Sequence, residues 1–267
     1  MMRPIFLLFI PILYFAAGSG TAQEALVTVL RQPFLVPDQE VGPVGFNWCG
    51  FSRQYYLTAG WNETGIGATY KTPKGESSAI LVRDGISGFS WSHLYLSHQL
   101  GIGRVRMLLQ IRFSLITVIG QPPVFRTGGH IGLTIPAGES LHLGFTVFDF
   151  PGFLFPHAAP VRGDPTIRLQ LWHTPGRQFD LTGAFDLSTS CPGPLILGIR
   201  LNASDQVRLS GQFRVLPLGL AIGMEWRINQ IKICFGFETT SRLGVTPLII
   251  AQGPITGNRQ PVTGSKN

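Results

Sequence analysis

Charge is what this sequence has least of. Asp, Glu, Lys and Arg together make up 13% of its 267 residues, about half the roughly 25% of an ordinary soluble domain. A surface that meets water on every side is hard to build from so few charges. Long apolar runs are missing too. Past residue 22, nothing approaches the roughly 20 consecutive apolar residues of a membrane-spanning helix. Cysteine is scarce, with Cys49, Cys191 and Cys234 only, and none has metal-ligand spacing. Cys49 and Cys191 lie outside the expected strand centres and could pair in an oxidising compartment or stay unpaired. The histidines form no HExxH pair, and Gly101-Ile102-Gly103 is a turn without the GxGxxG pattern. Ser140 and His142 read as a turn serine and an inward histidine. No catalytic residues, metal or cofactor are expected, and the chain does not read as an enzyme.

What is present is apolar and glycine-rich. Hydrophobic residues are 44% of the chain, with 33 glycines. In lipid, only helices and closed barrels satisfy every backbone polar group. With no spanning helix to form, the composition points to a β-barrel.

The pattern from 178 to 238 carries that reading. Phe179, Leu181, Gly183, Phe185 and Leu187 alternate with Asp180, Thr182, Ala184 and Asp186. Val207, Leu209, Gly211, Phe213 and Val215 alternate with Arg208, Ser210, Gln212 and Arg214. Leu220, Ile222, Met224, Trp226 and Ile228, then Ile231, Ile233, Phe235 and Phe237, repeat the scheme. Successive side chains on a strand point to opposite faces, so each run has one greasy and one polar face. The greasy face is nearly unbroken from run to run, which suits lipid. Small residues mixed with Arg, Asp and Glu on the other face suit a wet, enclosed lumen.

Taken in order, residues 1–22 read as a cleaved signal peptide, with Arg3 before an apolar stretch and Gly20-Thr21-Ala22 at the cleavage site. Residues 23–54, broken by Pro33, Pro37, Pro43, Gly42 and Gly45, read as a lead-in or a small plug. Strands are expected from 55 to 252. The first are a hairpin turning at 61–64, a short strand at 78–83 and another at 88–99. A long strand follows at 104–118, then strands at 130–136, 141–149 and 166–173. After the alternating section, a loop around 242–247 precedes a last strand at 248–252. The tail 253–267 is polar and reads as disordered. Short turns near 100–103, 136–140, 174–178, 202–206 and 229–230 alternate with longer or proline-rich connections, as in an up-and-down meander. The count is about 14 strands, with 12 as the second choice. The expected fold is therefore all-β, an antiparallel up-and-down transmembrane β-barrel. A secreted soluble β-sandwich is the competing architecture. Trp61, Trp91, Trp172, Trp226 and the Phe148, Phe150, Phe153 and Phe155 group lie near strand ends, where aromatic side chains favour the headgroup zone.

The lumen-lining candidates are the charges on the polar faces: Arg104, Arg106, Arg112, Arg168, Asp180, Asp186, Arg200, Arg208, Arg214, Glu225, Arg227, Lys232 and Glu238. They could be a structural ladder or the lining of an anion-selective pore. The formal charge of +7 is spread singly along strands rather than gathered in a patch, which argues against nucleic acid.

The strands LHLGFTVFDF, VRLSGQFRV and LGLAIGMEWRINQIKICFGFETTSRLGVTPLI resemble the PorV/PorQ-type barrels of Bacteroidota, relatives of the FadL fatty-acid transporters. The step SRLGVTP before the last strand is similar to that family's short loop before closure. The resemblance covers about residues 55–252. It implies a 14-strand barrel in the outer membrane, in contact with its lipid. The implied roles are lipid uptake, or binding secretion-machinery or surface proteins through the loops 150–165 and 239–247. An accessory role in secretion or surface assembly and a transporter for small hydrophobic or anionic solutes are the two functional expectations.

Overall fold

A computed structural model describes residues 45–54, 61–72, 74–148, 166–176, 178–188, 192–215, 218–229, 231–240 and 244–254. Fourteen strands run in chain order: β1 (Gly45–Gln54), β2 (Asn62–Lys71), β3 (Gly75–Ile86), β4 (Phe89–Ile102), β5 (Val105–Val118), β6 (Val124–Pro136), β7 (Leu141–Phe148), β8 (Thr166–His173), β9 (Phe179–Ser188), β10 (Pro192–Asn202), β11 (Val207–Arg214), β12 (Gly219–Ile228), β13 (Ile231–Thr240) and β14 (Gly244–Pro254). Each pairs antiparallel with its neighbours, and β1 closes on β14 with Arg53 opposite Leu248. The closed meander is the expected all-β barrel, and it excludes the sandwich. No helix among the described residues is long and apolar enough to cross a membrane.

The alternation sorts side chains as the sequence suggested. On β5, Met107, Leu109, Ile111 and Leu115 are exposed on the outside, and Ser114 is buried on the inside. Leu220, Ile222, Met224, Trp226 and Ile228 are exposed along β12, whereas Ala221 is buried. Such a continuous exposed apolar surface has no place in water and matches the lipid-facing band of a transmembrane barrel.

Both described ends of the chain, Gly45 and Pro254, leave from one rim. That rim also holds the connections 72–74, 103–104, 137–140, 174–178, 203–206 and 229–230. Gly103 and Asn229 take the left-handed backbone (φ 61° and 55°) that two-residue hairpins require. The opposite rim holds the longest connection, 149–165, but also a two-residue turn at 87–88.

Several boundaries differ from expectation. The barrel starts at Gly45, inside the stretch read as a lead-in, and the first hairpin turns within 55–61 rather than 61–64. On β1 the outward positions beyond Phe46 and Trp48 are Gly50, Ser52 and Gln54, which cut short the greasy face that announces a strand. β6 begins at Val124 rather than 130, because Gly128 and Gly129 leave gaps in its alternation. β14 begins at Gly244 and takes in Pro247, opposite Phe237. The aromatic expectation needs a larger correction. Trp172 and Phe148 are buried inside, and Trp91 packs against the inward His93 with ring centroids 4.9 Å apart. Trp172 lies over Gly144, where a Cβ would collide with its indole. Among the described members of that group, only Trp226 is on the outer face, where it joins Phe46, Trp48, Tyr70 and Phe179 as an aromatic girdle near the tight-turn rim. Residues 1–44 and 255–267, and with them the signal-peptide and tail expectations, lie outside the described residues, as do Phe150, Phe153 and Phe155.

Candidate functional site: the charged lumen

The pairing register closes with a stagger of about 14 residues, equal to the strand number, which tilts the strands by roughly 36°. At that tilt, residues at one height step by about one residue from each strand to the next. The rule gathers the inward charges into two tiers.

The upper tier, toward the rim with the 149–165 connection, contains Arg53, Arg168, Asp186, Arg214 and Glu238, with Glu63 and Arg112 within about a residue of the same height. Arg53 donates from Nη1 to Glu63 Oε2 at 3.3 Å and from Nη2 to Glu238 Oε2 at 3.4 Å. Glu238 Oε1 also accepts from Arg214 Nη2 at 3.3 Å. Arg53 on β1 reaches Glu238 on β13 past β14, and Glu238 reaches Arg214 on β11 past β12. Alternate strands can meet because tilt brings their inward side chains to one height. Arg168 forks onto Asp186, with Nη2 to Oδ2 at 2.7 Å, and its guanidinium lies 4.9 Å from the centre of the Phe148 ring. Arg53 and Asp186 are each 1% exposed. Charges so deeply buried require partners, and bidentate Arg–carboxylate pairing is the strong form of that contact.

The lower tier, toward the tight-turn rim, contains Arg106, Asp180, Arg200, Arg208, Glu225, Arg227 and Lys232. Two of its pairs are looser: Arg200 to Asp180 and Arg208 to Glu225, both at 3.7 Å. These side chains keep between 17% and 25% of their surface. Cys234 points inward beside Glu225. Between the tiers lies a belt with few charges: Ile80, Ile196, Leu248 and Ile250 with the amides of Gln170 and Gln212, all buried.

The structure therefore places the candidate residues on the inner face with one exception. Arg104 sits in the exposed turn between β4 and β5 and does not line the lumen. The polar set of the alternation extends to Arg104, but the left-handed Gly103 turns the chain there and β5 begins at Val105. Three buried inward charges escaped the sequence reading: Arg53, Glu63 and Asp84. Arg53 falls in the stretch that reads as a lead-in and Glu63 in the expected turn 61–64, whereas they belong to β1 and β2. The signal was available in Cys49, Phe51 and Arg53 as one alternating set, but the opposite set was too polar to make it stand out. Cys49 faces inward on β1, and Cys191 lies outside the described residues, so their pairing has no structural account. Among the described residues, no group of three or more His, Cys, Asp or Glu is placed to hold a metal.

Charge is also distributed unevenly around the wall. β4, β5, β6 and β7 carry Arg106, Arg112, Arg126, His93, His130 and His142 on their inner face and not one Asp or Glu. The carboxylates lie on β2 and β3 and on β9, β12 and β13. Among the described residues, the inner face of these four strands is basic and carries no carboxylate.

Against solved structures the chain is similar to the Acinetobacter baumannii outer membrane protein Omp33, at 9% identity and TM-score 0.53, covering 79% of this chain and 98% of that one. It is also similar to the Pseudomonas putida toluene transporter TodX, at 8% identity and TM-score 0.55, covering 79% of this chain and 89% of that one. The chain has the fold of outer-membrane β-barrels. At such identities the likeness concerns the fold alone. No protein-family model matches, and neither does any curated protein.

Proposed function

We propose that the protein is an outer-membrane barrel that passes small anionic solutes, exported by a cleaved leader at 1–22 and seated with its tight turns in the periplasm. The outer face fits lipid, and an outer membrane protein and a toluene transporter share the fold. The observation that carries the solute class is the acid-free inner wall of β4 to β7, with Arg106, Arg112 and Arg126 facing the lumen. A fixed positive field in a narrow passage concentrates anions and repels cations. The PorV/PorQ resemblance raises a binding role in secretion or surface assembly, whose contacts would lie on the loops 150–165 and 239–247, of which 150–165 and 241–243 lie outside the described residues and the rest of the second belongs to β13 and β14.

The test is the reversal potential of the purified full-length protein in planar bilayers under a potassium chloride gradient. A shift toward the chloride potential supports the proposal. Cation selectivity, or no conductance from a folded barrel, overturns it.

A further inference from the structure

The outer wall carries a single charge. Among the described residues, every Asp, Glu, Lys and Arg on a strand falls in the inward set of its alternation, apart from Arg83 on β3, which is exposed. Arg83 stands opposite Thr64 on β2 and Ser92 on β4, and Thr64 stands opposite Ser52 on β1. Just above that row, toward the 149–165 rim, Gln54 stands opposite Asn62, and Gly85 opposite Ser90. The row is flanked by the exposed Leu115, opposite Ser92, and Ile249, opposite Ser52. Its depth follows from the register. Tyr70 of the aromatic girdle stands opposite Ser77, and Arg83 is six residues further up β3. At about 3.3 Å per residue, a tilt of roughly 36° and the same stagger, Arg83 rises roughly 20 Å above the girdle. The lipid-facing band of such a barrel is about 25 Å tall. Arg83 therefore lies just below its far edge, and a long Arg side chain snorkels the remaining distance to the headgroups.

A charge on a lipid-facing wall is costly unless it reaches an opposite charge. We infer that Arg83, with Thr64 and Ser92 beside it, binds the phosphate of a lipid headgroup in the leaflet at the 149–165 rim. A guanidinium offers its fork of N–H groups to two phosphate oxygens, and hydroxyls on either side can donate to a third. Opposite residues on adjacent strands have Cβ atoms about 4.5–5.5 Å apart, so the three side chains bear on one group of that size. A second copy of the chain fits less well. Among the described residues, no carboxylate lies on the outer face of any strand, so a neighbouring wall has nothing to pair with Arg83. The inference depends on the outer wall meeting lipid and not on what passes through the lumen. With the tight turns in the periplasm, the bound lipid belongs to the outer leaflet.

Native mass spectrometry of the full-length barrel, released from detergent with dioleoylphosphatidylglycerol added, tests this. One lipid is expected to stay bound to the wild type. R83Q is expected to lose on the order of tenfold in affinity, whereas R104Q, in the exposed turn at the other rim, binds as the wild type does. Dioleoylglycerol has the same chains without the phosphate, and inorganic phosphate has no chains; each is expected to bind more weakly than the phospholipid. Heat-modifiable gel migration confirms that each variant is folded. If R83Q does not fold, the double variant T64A/S92A takes its place, with an expected loss of about fivefold. No bound lipid on the wild type, equal loss in R83Q and R104Q, or equal affinity for dioleoylglycerol overturns the site. Inorganic phosphate binding as tightly as the lipid overturns it in favour of a solute site. A dimer that R83Q abolishes overturns it in favour of a second copy on this face.

Discussion

The upper and lower charge tiers use the same side chains, and they differ in access to water. Above, Arg53, Arg168 and Asp186 are almost wholly buried, and their partners are close. Below, the Arg200–Asp180 and Arg208–Glu225 pairs are longer and partly wet. Where water is excluded, an ion pair must be well made, and breaking it strands a charge. Where water remains, the same pair contributes little to stability and is free to act on solutes. The upper tier thus ties alternate strands together, and the lower tier lines a vestibule.

That contrast can be broken experimentally. The largest effect is expected for Asp186→Ala, which leaves Arg168 buried without its carboxylate. Denaturant unfolding of the barrel refolded in lipid vesicles should show a loss of about 3–5 kcal/mol. A loss no larger than a surface pair gives would place Arg168 in water and dissolve the distinction. Next comes a control on the opposite face. Leu109→Arg puts a charge near the middle of the lipid band and should cost about 2–4 kcal/mol in the same assay. A neutral outcome would mean that Leu109 does not meet lipid. Glu225→Gln in the lower tier is expected to change stability by less than about 1 kcal/mol. The same substitution should make the reversal potential more anion-selective by removing a negative charge from the vestibule. Destabilisation as large as that of Asp186→Ala would merge the two tiers.

Much of this architecture could be read from residues alone, for a physical reason. β11 to β13 must oppose lipid with one face and water with the other, so their sequences alternate strictly, and β5 does so through Arg106, Gln110, Arg112 and Ser114. Where one side of that requirement relaxes, the pattern fades. Gly50 and Ser52 on β1, and Thr64 on β2, interrupt the greasy outer face of Phe46, Trp48, Ile66 and Tyr70, so alternation does not mark those strands. Aromatic residues near strand ends are usual in headgroups, which masks the inward position of Trp172 and Phe148. Their alternating set, shared with Arg168, Gln170 and Thr146, already pointed inward. The tiers themselves were not legible, because Arg53, Arg214 and Glu238 are distant in sequence and meet only through the stagger of a closed sheet.

The central claim, that odd positions on β5 face lipid and even positions face the lumen, has a direct test. Spin labels placed singly from 106 to 112, with Cys49, Cys191 and Cys234 replaced by serine, report oxygen accessibility in membranes. The account predicts a period of two, with high lipid exposure at Met107, Leu109 and Ile111 and low exposure at Arg106, Gln110 and Arg112. A flat profile, or oxygen maxima at the even positions, would contradict it.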